Sequence, residues 1–221
     1  MTPGALARRV LGKRFTAVGE IYRGLFVDMA RVVDVLEPQL PHGAHCLDVG
    51  AGDGLVTNML LQRRPDLRFT LIDLTPALGG FIEPRFADRV TLRPATAVAE
   101  LTAEGFTCDA VLMTDVLHHV PLQTRGEFFA DLEALCCGAS CPLVLVKDLE
   151  PGGARALFAV LSDKYVTGDR HVSLLSRAQL RAAFAAAFGS RLLSFETRFP
   201  DHPNYCAIIR LQGRGETPPA A

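Results

Sequence analysis

Two adjacent histidines, His118 and His119, close the stretch TDVLHHVP after an apolar run. Histidine titrates near neutral pH, binds metal ions and transfers protons, so this pair is a candidate for chemistry. A third candidate, Asp148, ends another apolar run, LVLVKD. These residues could form a metal site, supply a catalytic base, or simply end two strands. The elements that position them decide between these interpretations.

A glycine-rich segment, LDVGAGDG, carries the strongest signal in the chain. Gly50, Gly52 and Gly54 follow a strand-like run and open a helical one, so the backbone can turn tightly and bring N–H groups close to a ligand. The spacing is shorter than the G-x-G-x-x-G of dinucleotide-binding proteins, and Asp48 would repel a pyrophosphate. Asp48 suits an ammonium group instead, and Asp73 in LIDL suits the hydroxyls of a ribose. An ammonium, a carboxylate and a ribose together describe S-adenosylmethionine.

The composition is that of an ordinary globular domain. The 221 residues are 49% hydrophobic and 21% charged, enough for one buried core and short for two domains. A formal net charge of -1 gives no electrostatic case for nucleic acid or an anionic membrane surface. No signal peptide and no membrane-spanning run is evident, so a cytoplasmic location is expected. The six cysteines lack a second Cys/His pair at zinc spacing and are interpreted as free thiols.

Short β-rich runs alternate with helical runs along most of the chain. Strands are predicted at 45–50, 68–74, 90–94, 110–116 and 143–147. Helices are predicted within the first forty residues and at 55–63, 76–86, 97–104, 122–136 and 177–188. Alternation with nearly continuous apolar strands is typical of a parallel sheet covered on both faces. Runs 191–199 and 204–211 have only a turn-rich connector between them and should pair antiparallel, which completes a single α/β domain.

DVGAGDG after the first strand and IDL at the second resemble the class I S-adenosylmethionine-dependent methyltransferases. LHHVP resembles segments of many small-molecule members, and the later VKDLE region resembles methyltransferases of secondary metabolism. The resemblance implies a Rossmann-like fold with a seven-stranded, mostly parallel sheet of order 3-2-1-4-5-7-6, in which only strand 7 is antiparallel. It also implies a single domain over residues 1–212, divided into a helical cap at 1–42 and a core at 43–212 with a substrate-covering insertion at 149–176, before a flexible tail at 213–221.

The same resemblance assigns a cofactor site. Asp73 would hold the ribose, and Leu74 would lie beside the adenine. Family members often carry an acidic residue just after the third strand, near the adenine amine, but here that region is RPATAVAEL and has no carboxylate at that place. Cofactor contacts are implied for Asp48, Gly50, Ala51, Gly52, Gly54, Asp73, Leu74, Thr96, Ala97, Thr114 and Asp115.

His118 aligns with the general base of some O-methyltransferases, and His119 with a neighbouring position that helps to orient the substrate. In other family members the first histidine only makes a hydrogen bond at a helix start. Asp148 ends the fifth strand on the ligand side of the sheet and is the third catalytic candidate. No metal is expected, because adjacent histidines on one turn point differently. Substrate contacts are implied for Tyr22, Asp163 and His171.

The expected activity is transfer of a methyl group from S-adenosylmethionine to a small-molecule acceptor in a biosynthetic pathway. Oxygen is favoured as the attacking atom over carbon or nitrogen. Two alternatives stay open: a cyclisation or rearrangement with bound S-adenosylmethionine and no methyl transfer, and a non-catalytic protein that binds it. The expected partner is the small-molecule acceptor, with neither nucleic acid nor membrane, and any self-association is expected to be a homodimer.

Overall fold

A single sheet organises the chain and presents one edge to a ligand. The computed structural model describes residues 29–139, 141–152, 172–200 and 203–212. The strands are β1 (His45–Val49), β2 (Arg68–Asp73), β3 (Val90–Pro94), β4 (Ala110–Thr114), β5 (Leu143–Leu149), β6 (Leu192–Arg198) and β7 (Asn204–Leu211). Their order is β3-β2-β1-β4-β5-β7-β6. Only β7 runs antiparallel to its neighbours, which confirms the predicted topology.

Helices cover both faces of this sheet. They are α1 (Met29–Leu36), α2 (Leu55–Arg63), α3 (Val98–Ala103), α4 (Arg125–Ala139) and α5 (Arg177–Phe188). One apolar cluster joins α3, α4 and α5 to the sheet, and a second joins α1 and α2 to the opposite face. Alternation along β5 sends Val144 and Val146 into the first cluster, and Leu143 and Leu145 into the second. The central strands predicted from the sequence are therefore buried on both sides, whereas β3 at the edge of the sheet is largely exposed.

The helix predicted at 76–86 is wrong. The described chain there contains only one turn of 3-10 helix, Pro84–Phe86. Two prolines and two adjacent glycines in TPALGGFIEP oppose a continuous helix. The segment instead runs along the glycine-rich loop, where the amide of Gly79 donates to the carbonyl of Gly52 and that of Phe81 to the carbonyl of Asp53. It therefore fixes the shape of that loop.

The ends of the predicted domain lie partly outside the described residues. Helix α1 belongs to the predicted cap, and its Val32, Val33 and Leu36 are buried. Residues 1–28 of the cap, most of the predicted insertion and the tail are outside the described ranges. No helix within those ranges is both long and apolar enough to cross a membrane. The six cysteines are free thiols, as predicted, and all but Cys137 are buried.

Candidate active site

A cavity of about 950 Å³ opens at the carboxyl ends of the parallel strands. Open α/β sheets bind ligands at this edge, because the loops that follow the strands converge there. The described residues that line the cavity are Val49, Gly50, Gly52, Ile72, Asp73, Leu74, Thr75, Thr96, Ala97, Val98, Asp115, Val116, His119, Val120, Pro121, Thr124, Glu127, Phe128 and Asp131.

The glycine-rich loop after β1 forms one wall of this cavity. Gly50, Gly52 and Gly54 all have positive φ angles, of 65°, 54° and 78°. An L side chain is strained in this conformation. A Cβ atom on Gly50 would also lie 2.7 Å from Cγ2 of Val116, so the loop after β1 packs directly against the loop after β4. Ala51 itself is not among the lining residues, although both of its neighbours are.

Asp73, at the end of β2, both holds the loop and faces the cavity. Its Oδ2 accepts a hydrogen bond from the amide of Gly52 at 3.0 Å, and its Oδ1 accepts one from the amide of Thr75 at 2.9 Å. The next residue, Leu74, leaves 76% of its surface exposed. A carboxylate beside an exposed apolar side chain suits a ribose with an attached flat base.

Asp48 lies behind the loop rather than on the cavity wall. Its side chain is buried, and Oδ2 accepts a hydrogen bond of 2.6 Å from the hydroxyl of Thr57. Burial raises the pKa of this carboxyl group to about 7, against the opposing effect of the Thr57 hydroxyl. Oδ1 has no hydrogen-bond partner in the described part of the chain. A buried oxygen of this kind is stabilised by a nearby positive charge.

The turn after β3 adds a further part of the cavity wall. Thr96 and Ala97 line the cavity together with Val98 at the start of α3. The amide of Thr96 donates to the carbonyl of Asp73 at 3.0 Å, which ties this turn to the end of β2. The strained φ of 52° at Ala95 is held by this turn.

Asp115, directly after β4, forms a close ion pair with a buried lysine. The ammonium Nζ of Lys147 lies 2.6 Å from both carboxylate oxygens of Asp115. The amide of Asp115 also donates to the carbonyl of Lys147, and φ at Asp115 is 58°. Although burial raises the pKa of Asp115, the lysine ammonium holds it below its usual value. Asp115 lines the cavity, whereas Thr114 lies beside it at the end of β4 and does not.

The two histidines occupy different environments within the 3-10 helix Leu117–His119. His118 is buried, and its Nδ1 lies 2.6 Å from Oδ1 of Asp148, which also accepts the amide of Leu149. His119 lines the cavity, with its ring centroid 4.2 Å from that of His118. Asp148 is fully buried, and its Oδ2 has no partner among the described residues. The structure therefore joins His118 to Asp148, a pairing the sequence does not show.

One group of side chains could in principle hold a metal ion. Ligand atoms of Asp115, His118 and Asp148 all lie within 4.8 Å of one another. The Lys147 ammonium already contacts both oxygens of Asp115 at this point, and a second cation would have to compete with it. This arrangement is better suited to ion pairing within the protein than to a metal centre.

Several residues of the site carry no sequence motif. Lys147 and Arg125 brace its loops, and the Arg125 guanidinium donates to the carbonyls of Leu117, Val120 and Ser173. Phe128, Glu127 and Asp131 line the cavity from α4. Asp131 lies four residues after Glu127 and three after Phe128, which places the three side chains on one helix face. This spacing was the only sign in the sequence that they could line the site together. The substrate candidates Tyr22, Asp163 and His171 lie outside the described residues.

The lining of the cavity carries mainly negative charge. The described residues that line it include four carboxylates and no lysine or arginine. Three of the carboxylates belong to Asp73, Glu127 and Asp131, and the fourth, that of Asp115, is paired with the buried ammonium of Lys147. An anionic ligand such as a dinucleotide would be repelled here, whereas a ligand with positive groups would be attracted.

Comparisons with known proteins agree with this geometry. Residues 47–137 match the family model described as a methyltransferase domain. The chain is 32% identical over 170 residues to aclacinomycin 10-hydroxylase RdmB of Streptomyces purpurascens, over 69% of this chain and 44% of that protein. It is 36% identical over 89 residues to an uncharacterized methyltransferase of Mycobacterium tuberculosis, over 39% of this chain and 43% of that one. The chain thus matches less than half the length of each relative.

Solved structures show the same fold. A Burkholderia thailandensis 1,6-didemethyltoxoflavin-N1-methyltransferase superposes with a TM-score of 0.61 at 20% identity, over 96% of this chain and 92% of that one. An O-methyltransferase family protein of the same organism gives a TM-score of 0.64 at 20% identity, over 84% and 56%. The family model, the fold and the acidic cavity agree. The chain carries a class I S-adenosylmethionine-dependent methyltransferase domain.

The residues of this methyltransferase domain fit its family's cofactor. The glycines leave open a wall that side chains would fill, and Asp73 presents a carboxylate where a ribose is expected. The buried Asp48 oxygen without a donor suits the neighbourhood of a positively charged methionine end. Gly50, Gly52, Asp73, Leu74, Thr96, Ala97 and Asp115 would hold S-adenosylmethionine, which supplies an electrophilic methyl group on a sulfonium.

Proposed function

We propose that this protein transfers a methyl group from S-adenosylmethionine to a small-molecule acceptor, with oxygen as the favoured attacking atom. The observation that carries the proposal is the acidic cavity at the carboxyl edge of the sheet. It combines the glycine-rich loop and Asp73 with His119 from the loop after β4. The cofactor side and His119 therefore meet in one space, and the ring of His118 lies 4.2 Å from that of His119.

The His118–Asp148 pair supports a role in proton removal. An imidazole that donates from Nδ1 to a carboxylate keeps Nε2 as its basic nitrogen, and the carboxylate stabilises the imidazolium that forms. In this proposal His118 accepts the proton of the acceptor's hydroxyl group, Asp148 orients it, and His119 lines the space beside the reacting atoms. The other contributions are exclusion of water and the alignment of acceptor and methyl group.

Cofactor binding is the first test. Isothermal titration with S-adenosylhomocysteine should show binding, and Asp73→Ala should weaken it by about tenfold or more, since it removes charged hydrogen bonds. Asp88→Ala is the matched control, because Asp88 is an exposed carboxylate on the same connection between β2 and β3, outside the cavity lining. The proposal fails if the unaltered protein binds neither S-adenosylmethionine nor S-adenosylhomocysteine.

Proton removal is tested separately, once an acceptor has been found by screening small phenols, enols and amines. His118→Ala should lower kcat by roughly 100-fold, a typical contribution of a general base, while the affinity for S-adenosylhomocysteine is retained. His42→Ala is the control, because His42 is exposed at the opposite edge of the sheet. If His118→Ala keeps full turnover and His119→Ala loses it, His119 and not His118 is the base.

A second candidate function is a reaction on the same scaffold without methyl transfer. It is favoured by one finding: the relative that matches over 69% of this chain is named a hydroxylase. The mass of the product separates the two candidates. Methyl transfer adds one CH₂ unit and converts the cofactor to S-adenosylhomocysteine, whereas hydroxylation by molecular oxygen and a two-electron reductant adds one oxygen atom, releases water and leaves the cofactor intact.

A further inference from the structure

Helices α3 and α4 pack against each other, and both contribute residues to the cavity wall. Asp131 is half-buried and lines the cavity, and Val98 at the start of α3 lines it too. No hydrogen bond or ion pair involves the Asp131 carboxylate in the described part of the chain. Among the described residues it is therefore an acceptor that faces the cavity without a protein partner.

The position of Asp131 relative to the other polar groups defines its end of the cavity. Asp115 and His119 follow β4 and mark the side where the chemistry is proposed, and Asp73 at the end of β2 marks the ribose. The turn after β3 leads from Asp73 to Val98 and α3. A nucleoside with its ribose on Asp73 and its sulfur toward His119 directs its base toward this turn and α4.

The side chains at this end suit a flat base with an amine on its edge. Val98 of α3 and Phe128 of α4 supply apolar surface, and Asp131 supplies the acceptor. In members of this family the turn after β3 often carries an acidic residue that binds the adenine amine, but here that turn contributes only Thr96 and Ala97 to the cavity. The carboxylate in this part of the lining comes from α4 instead.

We propose that Asp131 recognises the exocyclic amine of the adenine and so makes the cofactor site selective for an adenosyl ligand. This inference rests on the proposed cofactor binding and adds a specificity residue to it. A carboxylate accepts a hydrogen bond from the amine of adenine. It repels the carbonyl oxygen that hypoxanthine has at the same position, because both groups are acceptors.

The test compares S-adenosylhomocysteine with S-inosylhomocysteine, in which a carbonyl replaces that amine. The unaltered protein should bind the adenosyl ligand roughly tenfold more tightly or better, which is the usual range for a hydrogen bond to a charged group. In Asp131→Asn the ratio of the two dissociation constants should fall close to one, because an amide can either accept or donate. The affinity for the inosyl ligand should be unchanged or improved, which also shows that the variant is folded.

Two further variants complete the design. Glu127→Gln makes the same chemical change one turn earlier on the same helix face, and it should keep the preference of the unaltered protein. Asp131→Glu keeps the charge and should retain part of the preference. The assignment is overturned if Asp131→Asn leaves the preference intact, weakens both ligands equally, or changes it no more than Glu127→Gln does. If the unaltered protein binds neither ligand, the proposed function itself fails, which is a distinct result.

Discussion

The buried carboxyl group of Asp48 should make cofactor affinity depend on pH. Its pKa is about 7, because the group is buried in the core, where one of its oxygens has no hydrogen-bond donor among the described residues. A cationic methionine end bound nearby would favour the ionised form. Below pH 7 the carboxyl group must first lose its proton, so each pH unit weakens binding by about tenfold. We expect S-adenosylhomocysteine to bind roughly tenfold more tightly at pH 8 than at pH 6.

Isothermal titration in buffers of different ionisation enthalpy measures both the affinity and the protons released. Up to about one proton should be released per ligand bound at pH 6. Asp48→Asn should abolish both the pH dependence of the affinity and the release of protons on binding. His119→Gln should retain them, which separates Asp48 from an imidazole in the cavity that titrates in the same range. An affinity that does not change between pH 6 and pH 8, or a slope that survives in Asp48→Asn, would refute the reasoning.

The stability of the ligand-free protein should change with pH in the opposite sense. The pKa of Asp48 is raised from 3.8 in the unfolded chain to about 7 in the fold, so the folded state holds this proton more tightly. Its contribution to stability is complete below pH 3.8 and is lost as the pH rises to about 7. As the pH rises over this range, the free energy of unfolding of Asp48→Asn should increase by at most about 4 kcal/mol relative to that of the unaltered protein. Urea unfolding of both proteins at pH 4.5 and pH 7.5 measures the difference.

Two further predictions concern the loops around the cavity. Gly50→Ala should destabilise the protein by about 2–4 kcal/mol in urea unfolding, because it adds left-handed strain to a Cβ contact of 2.7 Å with Val116. Gly43→Ala is the control, because Gly43 has a similar φ of +70° but a Cβ atom there would meet no atom within 4 Å, so only the backbone strain should lower its stability. Equal losses of stability in the two variants would exclude the Val116 contact as a cause. Asp115→Ala should cost about 3 kcal/mol or more, because it leaves the Lys147 ammonium buried without its partner. Lys147→Met should lower the stability by less, because the Asp115 carboxylate that it leaves unpaired is 36% exposed and can be solvated. A larger loss in Lys147→Met than in Asp115→Ala in urea unfolding would contradict this account.

The order of the elements could be read from the sequence because it depends on local patterns. The apolar runs, their lengths and the helix between each pair are visible in the chain, and the glycine-rich loop marks the first crossover. Errors occurred where local signals conflict. The segment at 76–86 has helical residues between prolines and glycines, and α4 begins at Arg125 instead of 122, after a turn in which the amide of Thr124 donates to the carbonyl of Pro121. Strand order itself came from the resemblance, since periodicity does not specify which strands are neighbours.

The partners of the site residues could not be predicted from the sequence. Asp115 and Lys147 are 32 residues apart, and His118 and Asp148 are 30 apart. They meet because β4 and β5 are adjacent, with Thr114 paired to Lys147 in the register. Alternation then sends Lys147 and Asp148 to opposite faces of β5, so two neighbouring residues in the chain hold two different points of the loop after β4.

The sequence by itself determined the chemistry that is available. Glycines after the first strand, acidic residues at the ends of two strands and histidines after the fourth could be identified from residue type and position alone. The tertiary structure decided which of these groups face the cavity: His119 lies on its wall, His118 lies behind it on Asp148, and Asp131 enters from α4. The physical reason is that burial and pairing depend on how separate strands and helices pack together, and no local pattern encodes that packing.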